Sequence, residues 1–287
     1  MGSLKRARLG SALALTGLLL GTLSGPALCK PLATPKLRSS SVLIYDPSED
    51  AVLFSRHSDV PAPIASITKL MTALVVLDAR QPLDEPLAIT AAELNLPKGG
   101  VSRLGVGTVL TRGELLHLAL MSSENRAAHA LGTYYPGGIA AIVAAMNEKA
   151  AHLGMTTAHF TDPTGLSSEN VASPEDLTKL VLAASRNPTI RDYSTDARYT
   201  VRLRHQLVEF HNTDTLVANP AWNIIVQKTG YIAEAGKCLV MEAVIEGRNV
   251  VIVLLDSFGK NTRVADAKRV KSWMESNGIE RLRVSMR

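Results

Sequence analysis

Cysteine is almost absent from this chain. Two residues, Cys29 and Cys238, occur in 287, which excludes a disulfide-built scaffold. Metal-ligand spacing is missing too. The seven histidines are scattered, with no H-E-x-x-H run and no Cys/His cluster, so no metal site is expected. Also absent are a glycine-rich phosphate loop ahead of a helix and a G-x-S-x-G elbow, so no nucleotide or other cofactor is expected. Beyond the N-terminus no apolar run of about 18 residues exists, which excludes a polytopic membrane protein. Aromatics are only 4% of the residues, yet 46% are hydrophobic and 20% charged. That composition is too apolar for disorder and fits a globular core.

The net charge of +5 is small, and Lys5, Arg6 and Arg8 supply three of those charges within an acid-free N-terminal segment. The high overall pI therefore does not mark a nucleic-acid partner. Residues 1–29 read as a secretory signal, with a basic start, an apolar stretch from Leu9 to Leu23, and then Gly25-Pro26. Cleavage is expected after Ala27 or Cys29. Leu28 is bulky where a lipoprotein signal needs a small residue before its cysteine. The mature chain is thus expected in the periplasm, with no membrane anchor after cleavage. Residues 30–40 read as a linker and 41–280 as the catalytic domain.

Periodicity gives the order of elements. Ser41–Asp46 and Ala51–Ser55 read as a hairpin around Pro47-Ser48-Glu49-Asp50. Pro61 and Pro63 end the extended structure, and a helix follows from Ser66. Residues 81–110 are loop-rich. Helical patterns cover about 111–121, 124–133 and 138–153. Ser173-Pro174-Glu175-Asp176 opens another helix, with serine as cap and proline in the first turn. Strands are predicted at 198–204, 223–228, 237–246 and 249–256, then a closing helix at 262–276. Strands, many helices, strands and a helix do not make a parallel β-α-β fold. The order fits an α/β (α+β) architecture, an antiparallel sheet built from both chain ends with a helical lobe inserted between. His117 and His129 read as surface or packing residues, and Cys238 as a small buried hydrophobe.

Three short motifs remain. Ser66-Ile67-Thr68-Lys69 is S-x-x-K, Ser123-Glu124-Asn125 is S-x-N, and Lys228-Thr229-Gly230 is K-T-G. Serine β-lactamases and penicillin-binding proteins use this trio. Chance alone yields about one S-x-x-K and about one S-x-N in such a composition, but only about 0.06 K-T-G. K-T-G is therefore the informative match. Ser257-Phe258-Gly259-Lys260 is a second S-x-x-K, and Ser168 and Ser185 begin further S-x-N matches. Context sets these aside, because none begins a helix, whereas Ser66 does and shares a face with Lys69.

The chemistry accounts for the residue types. A serine hydroxyl needs a base, and lysine serves only when neutral. Burial and the second cation Lys228 are both expected to depress Lys69. The helix start at Ser66 suits an oxyanion. Ser123 can relay a proton, and Asn125 can hold an amide. Lys228 and Thr229 suit a carboxylate, and Gly230 allows close approach of a substrate backbone.

At these residues the sequence resembles the low-molecular-weight penicillin-binding proteins, most of all their D-alanyl-D-alanine endopeptidase branch. The likeness spans about residues 41–275 and is densest at 63–73, 110–131, 160–166 and 228–241. Residues 98–106 match less closely. The resemblance implies the β-lactamase/penicillin-binding-protein transpeptidase-like fold and a periplasmic serine D,D-peptidase. It implies Ser66 as acylated nucleophile, Lys69 as base, Ser123 and Asn125 as second motif, and Lys228 and Thr229 at the carboxylate. The backbone N–H of Tyr231 would be the second oxyanion donor. Peptidoglycan stem peptides would be the substrates, and β-lactam antibiotics the covalent inhibitors. It also implies that the C-terminal β domain and amphipathic anchor of the related carboxypeptidases are lacking. A D-alanyl-D-alanine carboxypeptidase, a β-lactamase and an inert peptidoglycan-binding module are the alternative readings.

Overall fold

A computed structural model describes residues 34–94, 96, 102–204, 206–259 and 261–277. Residues 1–29, read above as a signal, lie outside the described residues. The first hairpin is β1 (Ser39–Asp46) and β2 (Ala51–Arg56). Two-residue β3 (Ala62–Pro63) leads through a 3-10 turn, Ala65–Ile67, into α1 (Thr68–Asp78). Short strands β4 (Pro86–Ala88) and β5 (Val109–Thr111) bracket the loop-rich stretch. Next come α2 (Arg112–Met121), α3 (Asn125–Thr133), α4 (Gly138–His152), β6 (Val171–Ala172), α5 (Pro174–Ser185) and α6 (Pro188–Thr195). The chain continues through β7 (Arg198–Leu203), β8 (Gln206–His211), β9 (Asn223–Ile232), β10 (Gly236–Ile245), β11 (Arg248–Ser257) and α7 (Thr262–Asn277).

One five-stranded antiparallel sheet has the order β2-β1-β11-β10-β9. Both chain ends build it, as the element order implied. Its inner strands β1, β11 and β10 are buried almost throughout because both faces are covered. Along β10 the side chains alternate between two cores. Cys238 and Val240 enter the core shared with the helical lobe. Leu239, Met241, Ala243 and Ile245 enter the core under α7. Each fully buried leucine or isoleucine there contributes about 1.5–3 kcal/mol. Cys238 is buried, and burial pushes its thiol up to about 12, so it is an inert core residue.

Three differences from the sequence reading matter for the site. Part of the linker is packed, since Leu37 is buried in the core under α7 and β1 starts at Ser39. The segments α6 and β8 have no counterpart in the sequence pattern, because eight and six residues give too few periods of a weak signal. Third, β9 does not end at Lys228 but runs to Ile232. Gly230 is therefore a strand residue, and its missing Cβ has a steric role against the turn that carries Ser66.

Local signals hold the lobe that carries the second motif. Thr111 and Glu114 form a reciprocal capping box at the start of α2. Ser173 caps α5, with Pro174 in its first turn. Asn170, fully buried, accepts from Thr161 N, Thr161 Oγ1 and Asp162 N, and donates to Thr68 Oγ1 and the Asp162 carbonyl. The Ser168 match is thus no catalytic motif; its asparagine fastens the 161–167 loop to α1.

Candidate active site

Ser66 lies in the 3-10 turn that precedes α1, not in the helix proper. The turn is held under strain. Ala65 has φ +47, a left-handed conformation that costs a residue with a Cβ about 1 kcal/mol. Thr68 Oγ1 donates to the Ala65 carbonyl at 2.7 Å, which fixes the turn. Two glycines enclose it. A Cβ on Gly165 would stand 2.0 Å from the Ala65 oxygen. A Cβ on Gly230 would stand 2.8 Å from the Ile64 oxygen and 3.3 Å from Ser66 N. The serine backbone is therefore clamped between the 162–166 loop and β9, at van der Waals contact on both sides.

Lys69 follows one turn later and is 1% exposed. Its Nζ donates to Ser66 Oγ at 2.8 Å, to Asn125 Oδ1 at 2.8 Å and to the Thr164 carbonyl at 2.6 Å. Burial lowers this lysine to about 7, against the opposing pull of Asp162 and Glu124. Near neutral pH it thus spends much of its time as a free amine, whose lone pair can accept the Ser66 proton. The sequence reading assigns part of this depression to Lys228. Burial is the main cause at Lys69, and Lys228 is depressed in turn by burial and by the charge of Lys69.

Ser123 joins α2 to α3 and takes φ +60, so a non-glycine residue again holds a left-handed conformation beside the cleft. Glu124 caps α3 through Arg126 N, and its own N–H donates to the Leu118 carbonyl. The junction thereby turns Ser123 and Asn125 toward Ser66.

Lys228 is fully buried in mid-strand, with its Nζ on the Thr229 carbonyl at 2.9 Å. Its pKa is pushed well down, first by burial and then by Lys69 and Arg263, while Asp214 acts the other way. A cleft of about 530 Å³ opens over these groups, lined among others by Ser66, Ser123, Asn125, Thr229, Tyr231 and Arg263. Tyr231 is exposed at its rim, with Lys237 Nζ 4.7 Å from the ring centre. The tertiary structure thus brings Ser66, Lys69, Ser123, Asn125, Thr229, Gly230 and Tyr231 to one place, with Lys228 beneath.

The second S-x-x-K match is elsewhere. Ser257 is buried at the end of β11, and its Oγ lies 2.6 Å from Ser39 Oγ. Lys260 lies outside the described residues. Ser185, at the end of α5, bonds the Leu182 carbonyl. His117 is buried and stacks on Tyr193 at 4.3 Å, and His129 bonds the buried Glu93 at 2.9 Å. Both histidines pack the lobe rather than line the cleft.

The family model described as D-alanyl-D-alanine carboxypeptidase (Peptidase S11) matches residues 30–259. The chain belongs to this family. It is 48% identical over 246 residues to the D-alanyl-D-alanine endopeptidase of Pseudomonas aeruginosa, covering 85% of this chain and 79% of that protein. It is 45% identical over 247 residues to the Escherichia coli D-alanyl-D-alanine endopeptidase, covering 85% and 80%. Among solved structures, the Streptomyces K15 DD-transpeptidase is similar with TM-score 0.77 and 27% identity, over 85% of this chain and 99% of that one. The Mycobacterium tuberculosis D-alanyl-D-alanine carboxypeptidase is similar with TM-score 0.77 and 29% identity, over 88% and 95%. The fold is that of the penicillin-binding D,D-peptidases, and the chain is a serine D,D-peptidase.

In this D,D-peptidase two further groups, outside all three motifs, stand at the cleft. Thr213 donates its N–H to the Met121 carbonyl at 3.0 Å, and its Oγ1 lies 2.6 Å from Thr229 Oγ1. It therefore ties the second motif's approach to the third. Arg263, at the start of α7, donates Nη1 to the Gly230 carbonyl at 2.9 Å. Both come from segments distant in sequence from any motif, so no local signal marks them. Among the described residues, no helix is long and apolar enough to cross a membrane.

Proposed function

We propose that Ser66 is the nucleophile of a periplasmic D-alanyl-D-alanine endopeptidase that cleaves the cross-links of peptidoglycan. The carrying observation is the 2.8 Å contact between Lys69 Nζ and Ser66 Oγ, inside a cleft whose far wall holds Thr229 and Arg263. Neutral Lys69 takes the Ser66 proton as Oγ attacks the D-alanyl carbonyl carbon. A base so placed contributes about 10²–10⁴-fold. The developing oxyanion is met by the backbone N–H groups of Ser66 and Tyr231, worth about 3–4 kcal/mol per donor. Asn125 holds the peptide amide. The proton on Lys69 passes by way of Ser123 to the leaving amine, and the acyl-enzyme remains. Water then attacks the ester, with the same lysine as base, and frees Ser66.

A substrate lies along β9, the sheet's edge strand, which offers backbone groups to an extended peptide. Its carboxylate meets Lys228, Thr229 and Arg263. Gly230 keeps this strand within contact of Ser66, so the two halves of the machinery share a single backbone-to-backbone spacing. A β-lactam carries the same carboxylate and a strained acyl centre, so penicillin acylates Ser66.

The leaving group separates this reading from its nearest alternative. A carboxypeptidase expels free D-alanine, whereas an endopeptidase expels the side-chain amine of a neighbouring stem peptide. Both satisfy the same cations, and the endopeptidase reading is favoured by the likeness to the Pseudomonas and Escherichia relatives. Hydrolytic defence against β-lactams is disfavoured, since Glu169 is exposed in its loop and does not line the cleft. Digestion of purified sacculi decides the matter. Dimeric muropeptides should be split faster than pentapeptide monomers lose D-alanine, and the reverse order would make the enzyme a carboxypeptidase. N-terminal sequencing should find a mature start near Leu28 or Lys30. Retention of Met1, or lipid on Cys29, would overturn the export reading.

A further inference from the structure

Asp214 follows Thr213 in the loop between β8 and β9 and is 1% exposed. Its Oδ1 accepts the Leu216 N–H at 3.0 Å, but its Oδ2 has no hydrogen-bond partner among the described residues. A buried carboxylate oxygen without a donor is costly and calls for an explanation. Its surroundings supply one. Lys228 of β9 and Arg263 of α7 both act on it through charge. The loop is fixed close to the site, because Thr213 bonds the Met121 carbonyl and the Thr229 hydroxyl.

Lys228 has the opposite difficulty. It is fully buried, and the charged groups facing it are Lys69 of α1, Arg263 of α7 and Asp214. Burial and both cations favour its neutral amine, and Asp214 alone of these favours the ammonium. A neutral Lys228 would present no charge to a carboxylate.

We propose that Asp214 is a positioning residue for the third motif, the buried counter-charge that keeps Lys228 cationic for the substrate carboxylate. This rests on the reading above that Lys228 receives that carboxylate. The sign follows from the charges. Burial raises the Asp214 carboxyl, and Lys228 and Arg263 pull it back down. An ionised Asp214 beside Lys228 favours the ammonium form over the free amine. Its influence therefore falls on the alkaline side, where Lys228 would otherwise lose its proton.

The test is the pH profile of acylation by benzylpenicillin, which carries the carboxylate. In Asp214→Asn the alkaline limb should move to lower pH by about one unit, a loss of about tenfold on that limb with little change on the acid side. With peptide substrate, the loss should appear in KM rather than kcat. Asp214→Glu should restore the wild-type limb. A uniform loss at every pH, or an unchanged profile, would overturn the proposal. Lys228→Arg provides a check that does not need the Asp214 variant to fold. Guanidinium keeps its charge, so the alkaline limb should vanish, and its persistence would overturn the assignment. If Lys228→Gln leaves KM unchanged, the carboxylate reading itself fails, an outcome distinct from failure of Asp214→Asn.

Discussion

Lys69 Nζ reaches Ser66 Oγ at 2.8 Å from a buried position, and the same nitrogen is held by the Thr164 carbonyl at 2.6 Å. The S-x-x-K spacing supplies only the first of these contacts. The second is what fixes the amine, because the 162–166 loop closes over it.

The base should show itself in the pH dependence. Lys69 is lowered to about 7 by burial, so its neutral form accumulates above that pH. Acylation by benzylpenicillin should rise through an acid limb centred near pH 7, before the alkaline limb on which Lys228 loses its proton. Lys69→Arg should acylate at least about 100-fold more slowly, because guanidinium stays protonated. Equal rates for the two proteins, measured by stopped-flow quenching, would exclude a lysine base.

The same shift has a consequence for stability. Folding depresses Lys69 from 10.5 to about 7, so between those values the unfolded chain binds more protons. The penalty is full below the folded value and fades as pH rises toward the unfolded one. Relative to wild type, Lys69→Met should therefore gain more stability at pH 6 than at pH 9.5 in urea melts. A constant difference across that range would contradict the burial argument.

Ser257 offers a control for the nucleophile. Ser66→Ala should abolish labelling by fluorescent penicillin. Ser257→Ala should keep labelling while losing about 1 kcal/mol of stability with its bond to Ser39. A penicillin adduct mapped to any serine other than Ser66 would sink the assignment.

Gly165→Ala tests the clamp. The new methyl would meet the Ala65 oxygen at 2.0 Å, on a backbone with φ +79. Neither atom can yield without moving Ser66. A loss of about 3 kcal/mol or more in stability is expected, with acylation falling at least about tenfold. Thermal melts and penicillin labelling that match wild type would show that the turn has slack.

Thr213→Val probes the bridge between motifs. It removes the 2.6 Å hydroxyl partner of Thr229, and about 1–2 kcal/mol of orientation should be lost. KM should rise about 5–30-fold, with kcat nearly kept. A fall in kcat alone would place Thr213 on the proton path instead.

The sequence by itself determined the sheet's apolar strands, the main helices, the capped start of α5 and the three motifs. These are local properties: periodicity, caps and the rarity of Lys-Thr-Gly are all written within a few residues. It also foretold the burial of Cys238, from the apolar run around it. Only the tertiary structure decided what those motifs face. Mid-strand Lys228, the bridge made by Thr213, Arg263 on Gly230, and the glycine clamp around Ala65 and Ser66 all join segments far apart in the chain. Electrostatics followed the same division. That burial would lower Lys69 was readable from its apolar helix, whereas the burial of Lys228 beside Arg263 and Asp214 was not. Desolvation and charge coupling depend on what packs around a side chain, and packing is set by the fold as a whole.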